Sequence, residues 1–486
     1  MEVMQAKMGY EAELNAYISQ ERAAVEIANS VGRLMFDKGV ELVFFRNHLV
    51  DTHISEIISY FDYAKDVVKK PIDVNTAADI AKELSNIDLA PSKIDLGKLT
   101  SEYLAEKASF KTINDFLNNK LGNFIGQDKH TFEPKDVVLY GFGRIGRLAA
   151  RELIKQAGKG QQLRLRAIVT RTVNDLEIVK RAALLRNDSV HGAFKGTVIE
   201  DLANKALIIN GQIVKMIEAK NPEDIDYTTY GIDNALIIDN TGVFDNREAL
   251  GRHLQAKGVS KVLLTAPGKG IPNVVYGINH RDLDLENETI FSAASCTTNA
   301  ICPVLKIVED TFGIEKGHIE TVHAYTNDQN LLDNFHKKPR RGRSAAINMV
   351  ITSTGAGSAV TKVIPSLADK LTANAVRVPT PNGSLAILSL SLKKETTLEK
   401  VNEAVRKAAL EGELVNQINY QINPELVSND IIGNICCSVF DSNASIVSKD
   451  GKNVVLYAWY DNEFGYTKQV IRMAKHIAKV RRLIYY

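Results

Sequence analysis

The chain has 486 residues, 45% hydrophobic and 24% charged, with 60 lysines and arginines against 58 aspartates and glutamates. That mixture excludes a mainly disordered or collagen-like chain, and a net charge of +2 offers no bulk field for nucleic acid or a membrane surface. Four cysteines are too few for a disulfide framework, and none is spaced for zinc, so no metal is expected.

No run of about 18 apolar residues marks a membrane span. Glu2, Glu11, Glu13, Glu21 and Glu26 interrupt any signal-like or transit-like N-terminus. The expectation is a cytoplasmic protein with neither a nucleic-acid nor a membrane partner. The length predicts two to four domains.

The first 133 residues carry 21 acidic and 15 basic side chains, which leaves the remainder net basic by about eight charges. Leu14, Tyr17, Ile18, Ala24, Ile27, Val31 and Leu34 fall at helical spacing and predict a helix over 10–36. Further helices are predicted over 54–68, 76–84 and 99–108, punctuated by Pro71, Pro91 and Pro134. From 136 the texture changes. Short apolar strands are predicted at 136–140, 165–169, 235–241, 261–267 and 273–279, with helices at 147–156, 176–185 and 247–257. Such alternation predicts a parallel sheet with crossover helices. Beyond Phe291, alternating stretches such as 384–394 predict a mixed or antiparallel sheet, and the last twenty residues a basic amphipathic helix.

Gly141-Phe-Gly143-Arg144-Ile145-Gly146 lies between a predicted strand and a predicted helix. The first glycine allows the tight turn, the second the approach of a pyrophosphate, and the third close packing of helix on strand. The helix N-terminus adds amides and partial positive charge. A dinucleotide is therefore the expected cofactor, NAD or NADP. After the second strand, where an acid would bind the ribose 2′-hydroxyl, the chain reads Thr170-Arg171-Thr172. An arginine there suits a 2′-phosphate, and the alternative is a solvated loop charge.

Cys296 follows Ser292-Ala-Ala-Ser295 and opens a helical stretch, where the helix dipole favours a thiolate. Cys302, Cys436 and Cys437 read as buried and inert. His323 follows an apolar strand, and a Cys–His pair would activate the thiol and move a proton. The cationic run 336–343, the turn at Thr354-Gly355 and Arg377 look like two phosphate-sized sites around one thiol.

The blocks GFGRIGR, SAASCTTNA, TVHAYTNDQ, RVPTPNGS and WYDNEFGY occur in this order. On these motifs the chain from about Lys135 onward resembles the phosphorylating glyceraldehyde-3-phosphate dehydrogenases. The resemblance implies Cys296 as nucleophile and His323 as its base. It implies that Thr326 and Arg377 hold the substrate's own phosphate, and Ser295, Thr297, Arg341, Thr354 and Gly355 the attacking inorganic phosphate. For the cofactor it implies Gly141, Gly143, Gly146 and the backbone of Arg144 and Ile145 at the pyrophosphate. Thr241 and Thr265 would lie alongside, and Asn462 and Tyr466 at the nicotinamide. Arg171 departs from the acid of NAD-dependent members.

The expected fold is α/β. A helical extension over 1–133 precedes a Rossmann-type NAD(P)-binding domain over 134–295, completed by a helix over 462–486. An α+β catalytic domain with a mixed sheet covers 296–461. The expected reaction is reversible oxidative phosphorylation of glyceraldehyde 3-phosphate to 1,3-bisphosphoglycerate, in a homotetramer. The alternatives are an erythrose-4-phosphate dehydrogenase and, more remotely, a non-catalytic scaffold of the same fold. The extension reads as a helical collar or, alternatively, a regulatory module.

Overall fold

The structure, a computed structural model, describes residues 2–126, 133–155 and 158–486. Residues 127–132 of the expected extension, and Gln156 at the end of an expected helix, lie outside the described residues. The chain divides into two compact units. No helix among the described residues is long and apolar enough to cross a membrane.

The first unit combines 1–134 with 157–162 and the last residues, 480–486. Its helix Glu2–Arg33 buries Ala24, Ile27 and Val31, while Tyr10, Leu14 and Tyr17 stay exposed. Gly39 closes this helical segment at φ +68°. A Cβ there would lie 2.5 Å from the Lys159 carbonyl oxygen, so only glycine fits. The unit also contains a four-stranded sheet that helical periodicity did not reveal. Its order is Asn47–His48, Glu41–Phe44, Ser92–Asp95, Leu483–Tyr485, and the last three run parallel. The helix expected over 462–486 is thus Phe464–Ile477 only. Lys479 turns at φ +57°, and the residues beyond it pair as strand.

The second unit holds two eight-stranded sheets. In the first, six strands run parallel in the order Ile290–Ser292, Val259–Leu264, Ala235–Asp239, Lys135–Tyr140, Leu163–Thr170, Gln212–Glu218. Ala206–Ile209 and Val198–Asp201 extend it antiparallel. The central strands are buried on both faces, which explains their continuous apolar runs. The second sheet is mixed. Ile314–Ala324 pairs parallel with Leu371–Val378 and antiparallel with Ser384–Leu392, which in turn pairs with Asn453–Tyr460.

The strand expected over 273–279 is a turn. Val274 and Val275 are buried there, but the asparagine side chains hold a loop. Asn279 accepts from the Val275 amide at 2.9 Å and donates to the Asn273 carbonyl at 3.0 Å. The expected helix over 247–257 is Arg247–Gly251, followed by a 3₁₀ turn, Arg252–Gln255.

Candidate active site

The strand Lys135–Tyr140 ends in Gly141, at φ +93°, and the helix Arg144–Ile154 begins with Gly143 as its N-cap. A Cβ on Gly146 would lie 2.6 Å from the Gly141 carbonyl oxygen, so this glycine lets helix and turn pack. A Cβ on Gly143 would meet nothing within 4 Å. Its absence leaves the helix amides open to an anion, and the cradle fits a dinucleotide pyrophosphate.

Gly143, Arg144, Ile145, Thr241, Thr265, Asn462 and Tyr466 line one cleft of about 700 Å³ that reaches Cys296 and His323. Gly146 lies behind it. Buried Asp239 accepts from the amide and hydroxyl of Thr241, at 2.8 and 2.7 Å. Its carbonyl accepts from the Thr265 hydroxyl at 2.9 Å. Asn462 Oδ1 accepts from the Ser384 hydroxyl at 2.8 Å, and the Tyr466 hydroxyl donates to the Ala294 carbonyl at 2.8 Å. The Arg144 side chain turns away from the turn's backbone to Asp188 and Glu463, and His191 Nε2 lies 2.9 Å from Glu463. Burial would raise the Glu463 pKa, but His191 and Arg144 hold it below the usual carboxylate range.

The reacting pair sits where the two sheets meet. Ile290–Ser292 leads through Ala294, at φ +55°, into the helix Cys296–Phe312. Ser295 caps that helix by accepting from the Thr298 amide at 3.0 Å. Cys296 is its first residue, and its Sγ lies 3.6 Å from His323 Nε2. His323 is nearly the last residue of its strand, and the parallel register sets it beside Arg377. Its Nδ1 lies 2.7 Å from the Ala324 carbonyl, and Arg377 NH1 donates to the same oxygen at 2.9 Å. With Nδ1–H given to that carbonyl, Nε2 faces the sulfur with its lone pair. Burial and the Arg377 guanidinium bring the His323 pKa down to about 3, so the ring is a neutral base at pH 7. Burial also raises the Cys296 thiol, and the Arg377 charge offsets part of that rise. The other three cysteines are free and buried, with thiols raised by burial.

Cations gather on two sides of the sulfur. Arg377 NH1 also donates to Thr326 Oγ1 at 3.3 Å, and Thr326 lines the cofactor-side cleft. On the other side, Ser295, Thr297, Arg341, Thr354 and Gly355 line a second cleft of about 440 Å³, again with Cys296 and Arg377. Gly355 N-caps the helix Ala356–Val363 there. The structure therefore gathers the expected phosphate residues into two groups, with Ser295 and Arg377 lining both clefts.

Sequence reasoning missed three contributors. Asp328 accepts from both Thr326 and Arg341 and so ties the two groups together. Tyr460 bonds Thr297 through their hydroxyls at 3.1 Å. Lys338 lines the second cleft and donates to the Ser353 hydroxyl at 3.4 Å. Asp328 and Tyr460 stood inside the quoted motifs. Only their spatial partners give them meaning.

Arg171 lies elsewhere, in a basin of about 530 Å³ that it shares with Gly141, Gly143 and Thr241.

Two family models match this chain. Residues 135–247 match "Glyceraldehyde 3-phosphate dehydrogenase, NAD binding domain" and residues 295–462 its C-terminal domain. A "glyceraldehyde-3-phosphate dehydrogenase-like protein" of Pseudomonas aeruginosa is 48% identical over 454 residues, covering 93% of this chain and 98% of that protein. A glyceraldehyde-3-phosphate dehydrogenase of Clostridium pasteurianum is 40% identical over 352 residues, 71% of this chain and 99% of that protein. A chloroplastic form from Zea mays is 41% identical over 373 residues, 76% of this chain and 89% of that protein. The Pseudomonas alignment is too long to be confined to the second unit, so it runs into the extension.

Proposed function

Because the chain belongs to the glyceraldehyde-3-phosphate dehydrogenase family, we propose that it converts glyceraldehyde 3-phosphate and inorganic phosphate reversibly to 1,3-bisphosphoglycerate. NAD(P)⁺, when bound, supplies the hydride acceptor. The observation that carries the reading is Cys296 Sγ 3.6 Å from Nε2 of His323, whose pKa burial and Arg377 bring down to about 3.

The Cys296 thiol adds to the aldehyde carbon as His323 Nε2 takes the thiol proton and passes it to the developing alkoxide, giving a thiohemiacetal and leaving the ring neutral again. His323 next removes the hydroxyl proton as hydride departs, leaving a thioester on Cys296. Inorganic phosphate displaces the sulfur, forming the acyl phosphate and releasing the thiolate. A thiol serves both steps because it is a strong nucleophile and a good leaving group. Cys296 starts a helix, so its backbone amide supports the oxyanion. Thr326 and Arg377 would hold the carried phosphate. Ser295, Thr297, Arg341, Thr354 and Gly355 would hold the reacting one. We divide the body into a cofactor half, 134–295, and a catalytic half, 296–461.

Assembly belongs to the same reading. Leu331, Leu332, Phe335, Ile347 and Met349 are each more than 70% exposed within one loop region. Such a concentration of exposed apolar surface supports a homo-oligomer, and we propose a tetramer. Light scattering on the purified protein tests this, and a monomer would refute it.

The test of function is the initial rate with glyceraldehyde 3-phosphate, with and without inorganic phosphate. Phosphate-dependent turnover is expected. Turnover only with erythrose 4-phosphate, independent of phosphate, would move the protein to the erythrose-4-phosphate dehydrogenases. No turnover with either aldehyde would favour a scaffold.

A further inference from the structure

The basin containing Arg171 has a one-sided charge. Arg171, Arg181, Lys220 and Arg252 all line it, and no carboxylate does. The first three come from separate places. Arg171 follows the strand Leu163–Thr170, Arg181 stands on the helix Asp175–Arg186, and Lys220 follows the strand Gln212–Glu218. Those two strands pair in parallel with Glu218 opposite Thr170, so Arg171 and Lys220 leave the sheet side by side. The Ala219 amide donates to the Thr170 carbonyl at 3.0 Å and carries the pairing one residue further. This is the carboxyl end of the parallel strands, beside the glycine turn, where the adenosine ribose of a dinucleotide lies.

The nearby carboxylates are already engaged. Glu218 accepts from the Val173 amide at 2.9 Å, Glu177 accepts from Arg181 at 3.0 Å, and Glu223 holds Arg252 with contacts from 2.8 Å. Arg171 and Lys220 make no ion pair or hydrogen bond among the described residues. The Nε of Arg181 is buried without a partner. Thr170 gives its hydroxyl proton to the Thr172 carbonyl at 3.0 Å, so it cannot donate to a ligand. A free ribose 2′-hydroxyl is usually held by a carboxylate, and no carboxylate lines this basin. A 2′-phosphate is a dianion that three cations can share, one of them through a planar guanidinium fork.

We infer that the protein prefers NADP(H) over NAD(H), and that Arg171, Arg181 and Lys220 hold the 2′-phosphate. The inference needs the cleft to bind a dinucleotide, but not the proposed reaction.

Calorimetric titration of the full chain tests it without turnover. Paired probes are NADP⁺ with NAD⁺, and 2′,5′-ADP with 5′-AMP. The 2′-phosphorylated member of each pair should bind roughly tenfold tighter or more, since charge-assisted bonds are being added. Lys220→Gln and Arg181→Gln should each weaken NADP⁺ and 2′,5′-ADP about tenfold, with a much smaller change for NAD⁺. Arg171→Asp should reverse the preference. Retained NAD⁺ affinity shows that a variant is folded. Equal affinities within each wild-type pair would overturn the preference, and equal losses for both cofactors in the variants would overturn the clamp. A protein that binds NADP⁺ tightly but fails to oxidise either aldehyde would sink the proposed function and leave this inference standing.

Discussion

Cys296 and His323 meet at 3.6 Å, and under the proposed function the proton moves between them when the aldehyde arrives. That assigns separable losses to the two side chains. Cys296→Ser is expected to abolish dehydrogenase turnover while cofactor binding, read by fluorescence titration, survives. Substantial residual turnover would remove Cys296 from the nucleophile's place. His323→Asn should lower turnover by roughly 10²–10⁴, the usual share of a general base, with a loss under tenfold counting against that role. Both residues were legible in the sequence because each sits in a recognisable local setting, a helix start and a strand end. Asp328 was not. Its role rests on touching Thr326 and Arg341 at once, and the meeting with Arg341 depends on how the cationic loop folds back. Arg171 was legible as a charge, but Lys220 joins it only through the register of two strands and Arg181 only through the placement of the helix Asp175–Arg186.

Elements were legible where one period dominated. Four strands of the parallel sheet and the helices Arg144–Ile154 and Asp175–Arg186 fall close to their expected places because each carries a continuous apolar run or a single buried stripe, whereas the strands Gln212–Glu218 and Ile290–Ser292 were not expected. Asn273–Asn279 looked like a strand by its apolar residues. The Asn279 side chain supplied two of the loop's hydrogen bonds instead, and periodicity cannot register that. The sheet of the first unit was hidden for another reason. Glu41 lies within its apolar run, buried against Lys93 at 3.1 Å and His48 at 2.9 Å, with Arg482 nearby. Burial would raise the Glu41 pKa, yet Lys93, His48 and Arg482 hold it well below the ordinary value. A carboxylate depressed in the folded state contributes stability above its unfolded pKa, near about 4.3, and that contribution is lost as pH falls through the folded value. Glu41→Gln should therefore destabilise the first unit at neutral pH by about 3–5 kcal/mol, the usual cost of breaking a buried pair. It should also flatten the unit's loss of stability in acid. Far-ultraviolet circular dichroism across a pH series would show both. An unchanged acid profile in the variant would contradict the role given to Glu41.

For the molecule as a whole, the two units differ in charge and can be watched separately. The sole tryptophan, Trp459, lies in the second unit. Deleting 480–486 removes the edge strand Leu483–Tyr485 and the Arg482 bonds to the Gly160 carbonyl, the closer at 2.7 Å. The deletion is expected to lower the denaturant midpoint of the first unit, followed by tyrosine emission, and to leave the Trp459 transition in place. A joint shift of both transitions would mean that the units unfold as one.

The pairing of Leu483 with Ser92 spans 391 positions. At a synthesis rate of about 5–20 residues per second, the strand Ser92–Asp95 waits roughly 20–80 s for its neighbour. Throughout that interval its edge is an open template for any other extended chain. A ribosome stalled before Val480 would leave the edge exposed for good, so closure of the N-terminal unit reports that translation has passed Tyr485.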